Sequence, residues 1–365
     1  MKENKVYVGM DVHKNNIVLA GYVNEEQVLR FKKTIVHDKQ AVKKEFEKVS
    51  ALGKIVCCYE AGFSGYDLCR FINSLGHECY VIAPSLIPQK TGDKVKTDEK
   101  DAKKLASLLR AGLLTRVNMP DLDKEKERSL LRLRGQIKKD STRAKHRILK
   151  FLALRGISYK GNNWSLDHRS YLNALKLESI DQLALSEYLT NLSYLESRLK
   201  DIDEEVRKLA NTPKYKTKVD ALCCFRGIST LSAMVLLTEI KSAKDFSAQE
   251  LMSYFGLTPS EHSSGENIYR GAITKQGNSR LRHIIVEAAW HYLRAPKVGA
   301  KQAKSFEGQD KDIVLMSIRA LKRLNKRFLR LALRKNKNIA VVAVARELVG
   351  FIWAALMRLE AQETI

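Results

Sequence analysis

The sequence is poor in proline and has no cysteine pattern typical of a metal site or a disulfide framework. Its 365 residues include only 6 prolines and 6 cysteines. With a hydrophobic content of 44%, so little proline excludes widespread disorder and predicts two or three domains with cores of their own. The cysteines form no CxxC pair, so we expect buried free thiols rather than zinc ligands or disulfides. They are Cys57, Cys58, Cys69, Cys79, Cys223 and Cys224.

Features of a membrane or secreted protein are also lacking. The most apolar stretch, Ile339 to Met357, is interrupted by Arg346 and Glu347 and is typical of a buried helix. The first residues, MKENKVYVGMDV, lead into a strand pattern without the apolar core of a signal peptide. We therefore expect a cytoplasmic protein that does not associate with a membrane.

Acidic residues are scarce relative to basic ones. Lysine and arginine number 65 against 41 aspartates and glutamates, which gives a formal net charge of +24. Such an excess suits a polyanionic partner, and nucleic acid is the partner that it indicates first.

The first third of the chain alternates strand-like and helix-like segments. The strand-like segments are VYVGMDV, NIVLAGYV, VLRFKKTIV, KIVCCYE and CYVIA, and helical patterns follow the third, fourth and fifth of them. The order βββαβαβα matches the RNase H-like fold. It predicts an α/β domain over residues 1–120 whose mixed sheet gathers the ends of its central strands at one edge.

Four carboxylates lie at the ends of these elements. Asp11 closes the first strand, Glu60 closes the fourth, and Asp98 and Asp101 share one face of the last helix. Like charges repel unless divalent cations neutralise them, and an oxygen-only ligand set suits Mg²⁺ or Mn²⁺. The alternative is ordinary capping, in which Thr97 is the N-cap and the two aspartates meet the helix dipole.

The middle of the chain, residues 121–212, predicts long charged helices. One of them carries apolar residues at alternating spacings of four and three, the heptad pattern of a coiled coil. This seam indicates a hairpin or a dimer contact rather than a catalytic element. Its residues are Tyr188, Leu192, Leu195, Leu199, Ile202, Val206 and Leu209.

The last part of the chain, residues 213–365, is predicted to be mainly helical. In ALCCFRGISTLSAMVLL a turn containing Gly227 separates two apolar helical runs, which resembles a helix-hairpin-helix that holds a DNA phosphate. A plain corner between two helices, with glycine as a C-cap, is the alternative.

Two basic segments follow this turn. A polar, glycine-bearing loop leads into an amphipathic helix, and such loops often carry chemistry. Its basic residues are Arg270, Lys275, Arg280 and Arg282. A later helix is basic around most of its surface, which favours contact with nucleic acid over a merely solvated face. Its basic residues include Arg319, Lys322, Arg323, Lys326, Arg327 and Arg330.

Five motifs in this order resemble the insertion sequence 110 family of transposases over nearly the whole chain. They are GMDVHK around Asp11, YEAG around Glu60, KTDEKDA around Asp98, GLTPSEHSSG, and TKQGNSRLR. The resemblance implies a RuvC-like N-terminal domain, a coiled-coil segment and a C-terminal transposase domain that supplies a serine. The implied metal-binding and catalytic carboxylates are Asp11, Glu60, Asp98 and Asp101.

The resemblance places the serine in the SSG of residues 263–265. Ser264 directly precedes Gly265, whose missing side chain lets a DNA backbone approach, so we take Ser264 as the nucleophile and Ser263 as the second candidate. The resemblance also implies donor and target DNA and a bridge RNA encoded beside the gene. From the heptad seam we expect a homo-oligomer, a dimer that forms a tetramer in the synaptic complex. The resemblance predicts an RNA-guided recombinase that works through a phosphoserine–DNA link.

Two other functions remain open at this point. A Holliday-junction resolvase would share the carboxylates but would hydrolyse DNA with metal-activated water, and it has no use for the serine loop. A non-catalytic nucleic-acid-binding protein would need none of the four carboxylates.

Overall fold

The computed structural model describes residues 4–88, 97–264 and 267–363, without the side chains of residues 262–264 and 268. The chain divides into two compact units, Met1–Pro120 and Asp121–Ile365, here called the N-terminal and C-terminal units.

The N-terminal unit is built on a mixed five-stranded sheet with the order β3-β2-β1-β4-β5. β1 pairs antiparallel with β2, and β2 with β3, whereas the pairings of β4 with β1 and with β5 are parallel. This is the arrangement expected of an RNase H-like sheet. The strands are β1 Lys5–Val12, β2 Asn16–Val23, β3 Phe31–Val36, β4 Lys54–Glu60 and β5 Glu78–Ile82.

Three helices cover the two faces of this sheet, and a short 3₁₀ turn spans Pro84–Leu86. Apolar residues of α1 and α2, such as Phe46 and Ile72, pack against Met10 and Tyr59 on one face. α3 packs on the other face, where Leu105 joins residues of β4. The helices are α1 Lys39–Ser50, α2 Asp67–Ser74 and α3 Asp98–Arg110, so the predicted order βββαβαβα is confirmed.

The C-terminal unit is mainly helical and contains one β-hairpin. Its first helices are α4 Leu122–Ala153, α5 Leu166–Ala174, α6 Ser179–Ala210, α7 Lys216–Cys223, α8 Thr230–Glu239 and α9 Ala248–Tyr254. The hairpin, β6 Pro259–Ser264 and β7 Asn267–Ile273, follows, and then α10 Ser279–Trp290, α11 Ala300–Lys304, α12 Lys311–Ala332 and α13 Lys337–Gln362. Short 3₁₀ turns span Ala243–Asp245 and His291–Leu293.

The predicted heptad seam lies on α6 and packs against α4 of the same chain. Toward the C-terminal end of α6, Ile202 and Val206 pack with Leu131 of α4. Nearer the middle of α6, Leu192 packs with Ile148, which lies near the C-terminal end of α4. The hairpin alternative is thus the one that the structure contains. Leu192, Ile202 and Val206 are buried in this contact, whereas the other four seam residues are half-buried.

Helix α13 forms the centre of the C-terminal core. By length and composition it could cross a membrane, yet half of its most apolar window is buried inside the unit. Val344, Leu348 and Ile352 are fully buried, as predicted for the stretch from Ile339 to Met357. The six cysteines are free thiols; Cys223 is half-buried and the other five are buried, so the prediction of free thiols is confirmed.

Candidate functional site

A close contact between α3 and β1 determines where the predicted carboxylates lie. A Cβ atom on Gly9 would lie 2.1 Å from the carbonyl oxygen of Ala102, so only glycine lets the helix backbone rest on the strand. Asp11 is two residues beyond Gly9 and lies on the same face of β1. Asp98 is one helical turn before Ala102. Because Gly9 and Ala102 are in contact, Asp11 and Asp98 lie at the same end of the sheet.

His13 lies between these two aspartates. Its Nε2 atom is 3.3 Å from Oδ2 of Asp11 and 3.2 Å from Oδ2 of Asp98. One ligand atom of each of the three residues lies within 4.8 Å of the others, which is the spacing of a metal site. The Nε2 atom is enclosed and makes no hydrogen bond of acceptable geometry, so the ring presents an unsatisfied nitrogen to the space between two carboxylates.

The other acidic residues at the start of α3 face different neighbours because of their positions around the helix. Asp101 is close enough to Asp11 to raise the pKa of that carboxyl. Glu99 points to another side and pairs with Lys32 at 2.7 Å. The Thr97 hydroxyl accepts the Lys100 amide and so performs the capping, as predicted. Asp98 and Asp101 lie in the first turn of α3, and their binding of a metal stays a prediction.

Glu60 lies at the corresponding end of the neighbouring strand. Tyr59 is the register partner of Met10, so Glu60 and Asp11 occupy the next positions on two adjacent parallel strands. Like Asp11, Glu60 lies on the face covered by α3, because it is two residues beyond Cys58, whose thiol contacts the Leu105 carbonyl oxygen. We call Asp11, His13, Glu60, Asp98 and Asp101 the carboxylate site.

The electrostatics of the carboxylate site fit a divalent cation. Burial raises the pKa of Asp11, the His13 ring lowers it, and the Asp98 and Asp101 carboxylates raise it again. A cation would relieve this repulsion and would also satisfy the orphaned His13 nitrogen. The sequence predicts oxygen ligands alone, and the structure places an imidazole nitrogen beside the Asp11 and Asp98 carboxylates as a further candidate donor. His13 could have been found from strand alternation, because it follows Asp11 by two residues.

The predicted serine loop contains an antiparallel hairpin of β6 and β7. The backbones of Ser264 and Asn267 form the last register pair, and Ser263 pairs with Ile268. The serine side chains and Gly265 lie outside the described residues, so the choice between Ser263 and Ser264 stays a prediction.

The structure gives the four predicted basic residues near this hairpin different surroundings. Arg270 lies on strand β7 rather than in a loop and pairs with Glu261 at 3.1 Å. Arg282 lies on α10 and donates through Nη1 to the carbonyl oxygens of Phe255 and Lys275, at 3.0 and 3.2 Å. Lys275 and Arg280 have exposed side chains. Since the Arg282 guanidinium already holds backbone carbonyls, Lys275 and Arg280 are the better placed to meet a phosphate.

A set of contacts around the buried Glu239 carboxylate fixes the start of α10, and no sequence pattern predicts it. Asn278 caps α10 by accepting the Arg280 and Leu281 amides at 3.0 and 3.3 Å. Its side-chain nitrogen donates to Glu239 at 2.9 Å, and Arg132 of α4 donates to the same carboxylate at 2.8 Å. Burial raises the pKa of Glu239, but Arg132 and Asn278 outweigh it and keep the pKa below its usual value.

The predicted helix-hairpin-helix corresponds to α7, a turn and α8. Gly227 in the turn has a φ of +86°, and a Cβ atom there would lie 2.6 Å from the Ala288 carbonyl oxygen. The glycine is therefore needed for packing on α10. A phosphate-binding role for the turn stays a prediction.

The basic helix is α12, and its predicted cations fall into two groups. Arg323 and Arg327 form ion pairs with Glu347 of α13. The others are exposed and make no ion pair among the residues that the structure describes. They are Arg319, Lys322, Lys326 and Arg330.

Comparison with known proteins identifies two matching regions. Residues 8–155 match a DEDD transposase model of the IS110 group, described as "Transposase", and residues 219–304 match "Transposase IS116/IS110/IS902 family". The chain is 35% identical to the putative transposase y4qE of Sinorhizobium fredii, over 99% of this chain and 90% of that protein. It is 34% identical to the transposase for insertion sequence element IS1533 of Leptospira borgpetersenii, over 92% of this chain and 99% of that protein.

Proposed function

Since this chain belongs to the IS116/IS110/IS902 family of transposases, and is therefore an enzyme that cuts and rejoins DNA, we propose that its two units divide the chemistry. The carboxylate site of the N-terminal unit holds a divalent metal, and the β6–β7 hairpin supplies a serine nucleophile. The close approach of Asp11, His13 and Asp98, with one ligand atom of each within 4.8 Å of the others, is the observation that carries the metal half of this proposal.

Asp11, Glu60, Asp98 and Asp101 hold Mg²⁺ or Mn²⁺ in this proposal, and His13 is a fifth donor within reach. When bound there, a divalent cation would supply positive charge to position the scissile phosphate and offset the charge on the attacking and leaving oxygens. The protein's own part is to keep the carboxylates together before DNA arrives. The contact of α3 with Gly9 holds Asp11 and Asp98 near each other. Less free energy is then needed to assemble them when a cation and DNA bind.

The serine half of the proposal conserves phosphodiester energy. The Ser264 oxygen attacks the phosphorus and forms a phosphoserine link, the bond to the 3′ oxygen breaks, and the 3′ oxygen leaves as a hydroxyl carrying the proton that serine gave up. A 3′ hydroxyl of another strand then attacks the phosphoserine, rejoins the DNA and returns the proton to Ser264. No water is consumed, and Lys275 and Arg280 contribute positive charge near the phosphate.

Target choice belongs to a bridge RNA that pairs with donor and target DNA in this proposal. The net charge of +24 supports binding of both nucleic acids through phosphates, and base pairing then carries the sequence information. Purification of the protein with the transcript of the flanking noncoding DNA tests this point. An RNA-free protein that recombines its natural sites would contradict it.

The metal half is tested by substitutions within one helical turn. Asp98→Asn and Asp101→Asn should each abolish strand cleavage while leaving the melting temperature and RNA binding nearly unchanged. Glu99→Gln is the matched control, because Glu99 pairs with Lys32 and points away from the site. If both Asn variants recombine at the wild-type rate, the aspartates serve only the helix dipole.

The serine half is tested by trapping the covalent intermediate. Denaturation during reaction should leave DNA attached to Ser264, with no adduct in Ser264→Ala and a retained adduct in Ser263→Ala. An adduct on Ser263 would overturn the assignment. Cleaved DNA without any adduct would instead indicate hydrolysis by water, as in a Holliday-junction resolvase.

We further propose that the active assembly is a homo-oligomer in which Asp11 of one protomer serves Ser264 of another. A mixture of Asp11→Asn and Ser264→Ala chains should then recover part of the strand exchange, because one intact site forms from two unaltered halves. No recovery in an assembly that contains both chains would place the whole site within one chain.

A further inference from the structure

The two long helices of the C-terminal hairpin carry opposite charge. α4 has eleven lysines and arginines against four aspartates and glutamates, whereas α6 has four against seven. Helices of opposite charge attract, but the excess of positive charge on α4 is larger than the excess of negative charge on α6. Cations therefore remain on the outside of α4.

These cations form a stripe along the distal half of α4. Lys139, Arg143, Arg147 and Lys150 follow one another at spacings of four, four and three, which places them on one helix face. All four are exposed, while Ala144, Ile148 and Leu152 on the opposite face are buried in the hairpin core. At a rise of about 1.5 Å per residue the stripe is roughly 16 Å long. We call these four residues the α4 stripe.

The stripe differs from the other cations of α4 in lacking partners. Arg134 is paired with Asp203 at 2.6 Å, and Lys145 with Glu196 at 2.8 Å. Within the described residues, the side chains of Lys139, Arg147 and Lys150 make neither an ion pair nor a hydrogen bond. The fourth member, Arg143, makes only an exposed pair with Asp140, of the kind that contributes little to stability. Folding therefore does not account for this row of charge.

We propose that the α4 stripe binds the phosphate backbone of double-stranded DNA without reading its sequence. Three or four cations in a straight row match the successive phosphates along one strand of a duplex. Single strands are usually held by stacking on aromatic rings, and residues 136–150 contain no phenylalanine, tyrosine or tryptophan. The proposal rests on the family's action on DNA, and it is independent of the metal and serine chemistry.

The test removes three unpartnered charges and compares them with three on the neighbouring helix. The stripe variant is Lys139→Gln, Arg147→Gln and Lys150→Gln in the full-length protein. The control variant is Lys200→Gln, Arg207→Gln and Lys208→Gln, which removes the same charge from exposed positions of α6. Binding to a labelled duplex DNA of arbitrary sequence is followed by fluorescence anisotropy over a range of salt, with a chelator present so that no cleavage occurs.

The stripe variant should bind duplex DNA on the order of a hundredfold more weakly at about 0.1 M salt, and its salt slope should be lower by about 2.7. The control variant should keep both values, and both proteins should keep the melting temperature. Equal losses in the two variants would show that only net charge matters and would overturn the proposal. So would a loss confined to duplex RNA, or no loss for either duplex, and any of these results leaves the cleavage tests untouched.

Discussion

The carboxylate site and the serine hairpin differ in how the fold supports them. Near the carboxylate site, the buried residues Gly9 and Ala102 bring strand β1 and helix α3 into direct contact, which fixes the backbone next to Asp11 and Asp98. The hairpin is two short strands in which residues 269–272 are exposed. At its base Ile273 packs against the core of the C-terminal unit, and the Thr274 amide donates to the Thr258 carbonyl oxygen. The end of β1 that carries Asp11 is therefore positioned by core packing, whereas residues 269–272 of the hairpin lie on the surface.

The largest expected difference between the two regions is in cleavage. Asp11→Asn should lower the rate of strand cleavage at least about a thousandfold, since metal-assisted charge stabilisation contributes several kcal/mol. Arg270→Gln on the hairpin should lower it by less than about tenfold, because Arg270 is exposed and paired with Glu261. Comparable losses would remove the contrast between the two regions.

The melting temperature of metal-free Asp11→Asn shows whether the expected loss of cleavage could come from unfolding. Burial and the nearby aspartates raise the pKa of Asp11, so its ionised form destabilises the fold at neutral pH. In the presence of a chelator the variant should melt no lower than the wild type. A lower melting temperature would mean that the cleavage defect reflects unfolding.

The next largest difference is expected in stability, when one glycine in each region is replaced by alanine. Gly9→Ala places a Cβ atom 2.1 Å from the Ala102 carbonyl oxygen, and we expect it to lower the free energy of unfolding by about 3 kcal/mol. Gly271→Ala meets only the Ser260 hydroxyl, at 2.5 Å, and that side chain can rotate away. It should cost less than about 0.5 kcal/mol. Chemical denaturation of both variants measures the difference.

The N-terminal unit was predictable to an extent that the C-terminal unit was not. Strands such as NIVLAGYV are continuous apolar runs, so their order and the ends at Asp11 and Glu60 follow from local pattern. His13 was missed because a single histidine after a strand has no pattern of its own until α3 is packed beside it. β6, with the sequence PSEHSS, has no apolar alternation, and the pairing with β7 that defines it is not encoded in hydrophobicity.

Contacts between distant segments were likewise hidden from the sequence. Arg282 was one of four predicted nucleic-acid contacts, and in the structure it donates to two backbone carbonyls, which depends on how α9 and α10 meet. The pairing of Arg323 and Arg327 with Glu347 depends on the packing of α12 against α13. Charge could be counted from the sequence, but which charges are already neutralised could not.

The two groups of cations on α12 provide a smaller test. Lys322→Gln with Lys326→Gln should weaken binding to nucleic acid and lower the salt slope by about 1.8, without changing the melting temperature. Arg323→Gln with Arg327→Gln should change the salt slope less and should lower the melting temperature, because Glu347 then loses both partners. The reverse pattern would show that the ion pairs open to bind nucleic acid.

The smallest effect is expected in the helical hairpin. A hydrogen bond from Arg169, together with Lys145, holds the pKa of Glu196 at about 2. A carboxyl whose folded pKa is lowered stabilises the fold above its unfolded value and loses that contribution as the pH falls from about 4.5 toward 2. Because Glu196 and Arg169 are partly exposed, Glu196→Gln should lower the free energy of unfolding by on the order of 1 kcal/mol at neutral pH. This cost should disappear near pH 2.

Direct titration of the protein with Mn²⁺, followed by the loss of the free-ion electron paramagnetic resonance signal, tests the central claim without DNA and without catalysis. The wild type and Glu99→Gln should bind Mn²⁺ with the same affinity, while Asp11→Asn and Asp98→Asn should bind it at least about tenfold more weakly, and His13→Gln should show an intermediate loss. If all five proteins bind Mn²⁺ equally, or if none binds it, the cluster of Asp11, His13 and Asp98 is not a metal site and the proposed division of chemistry is wrong.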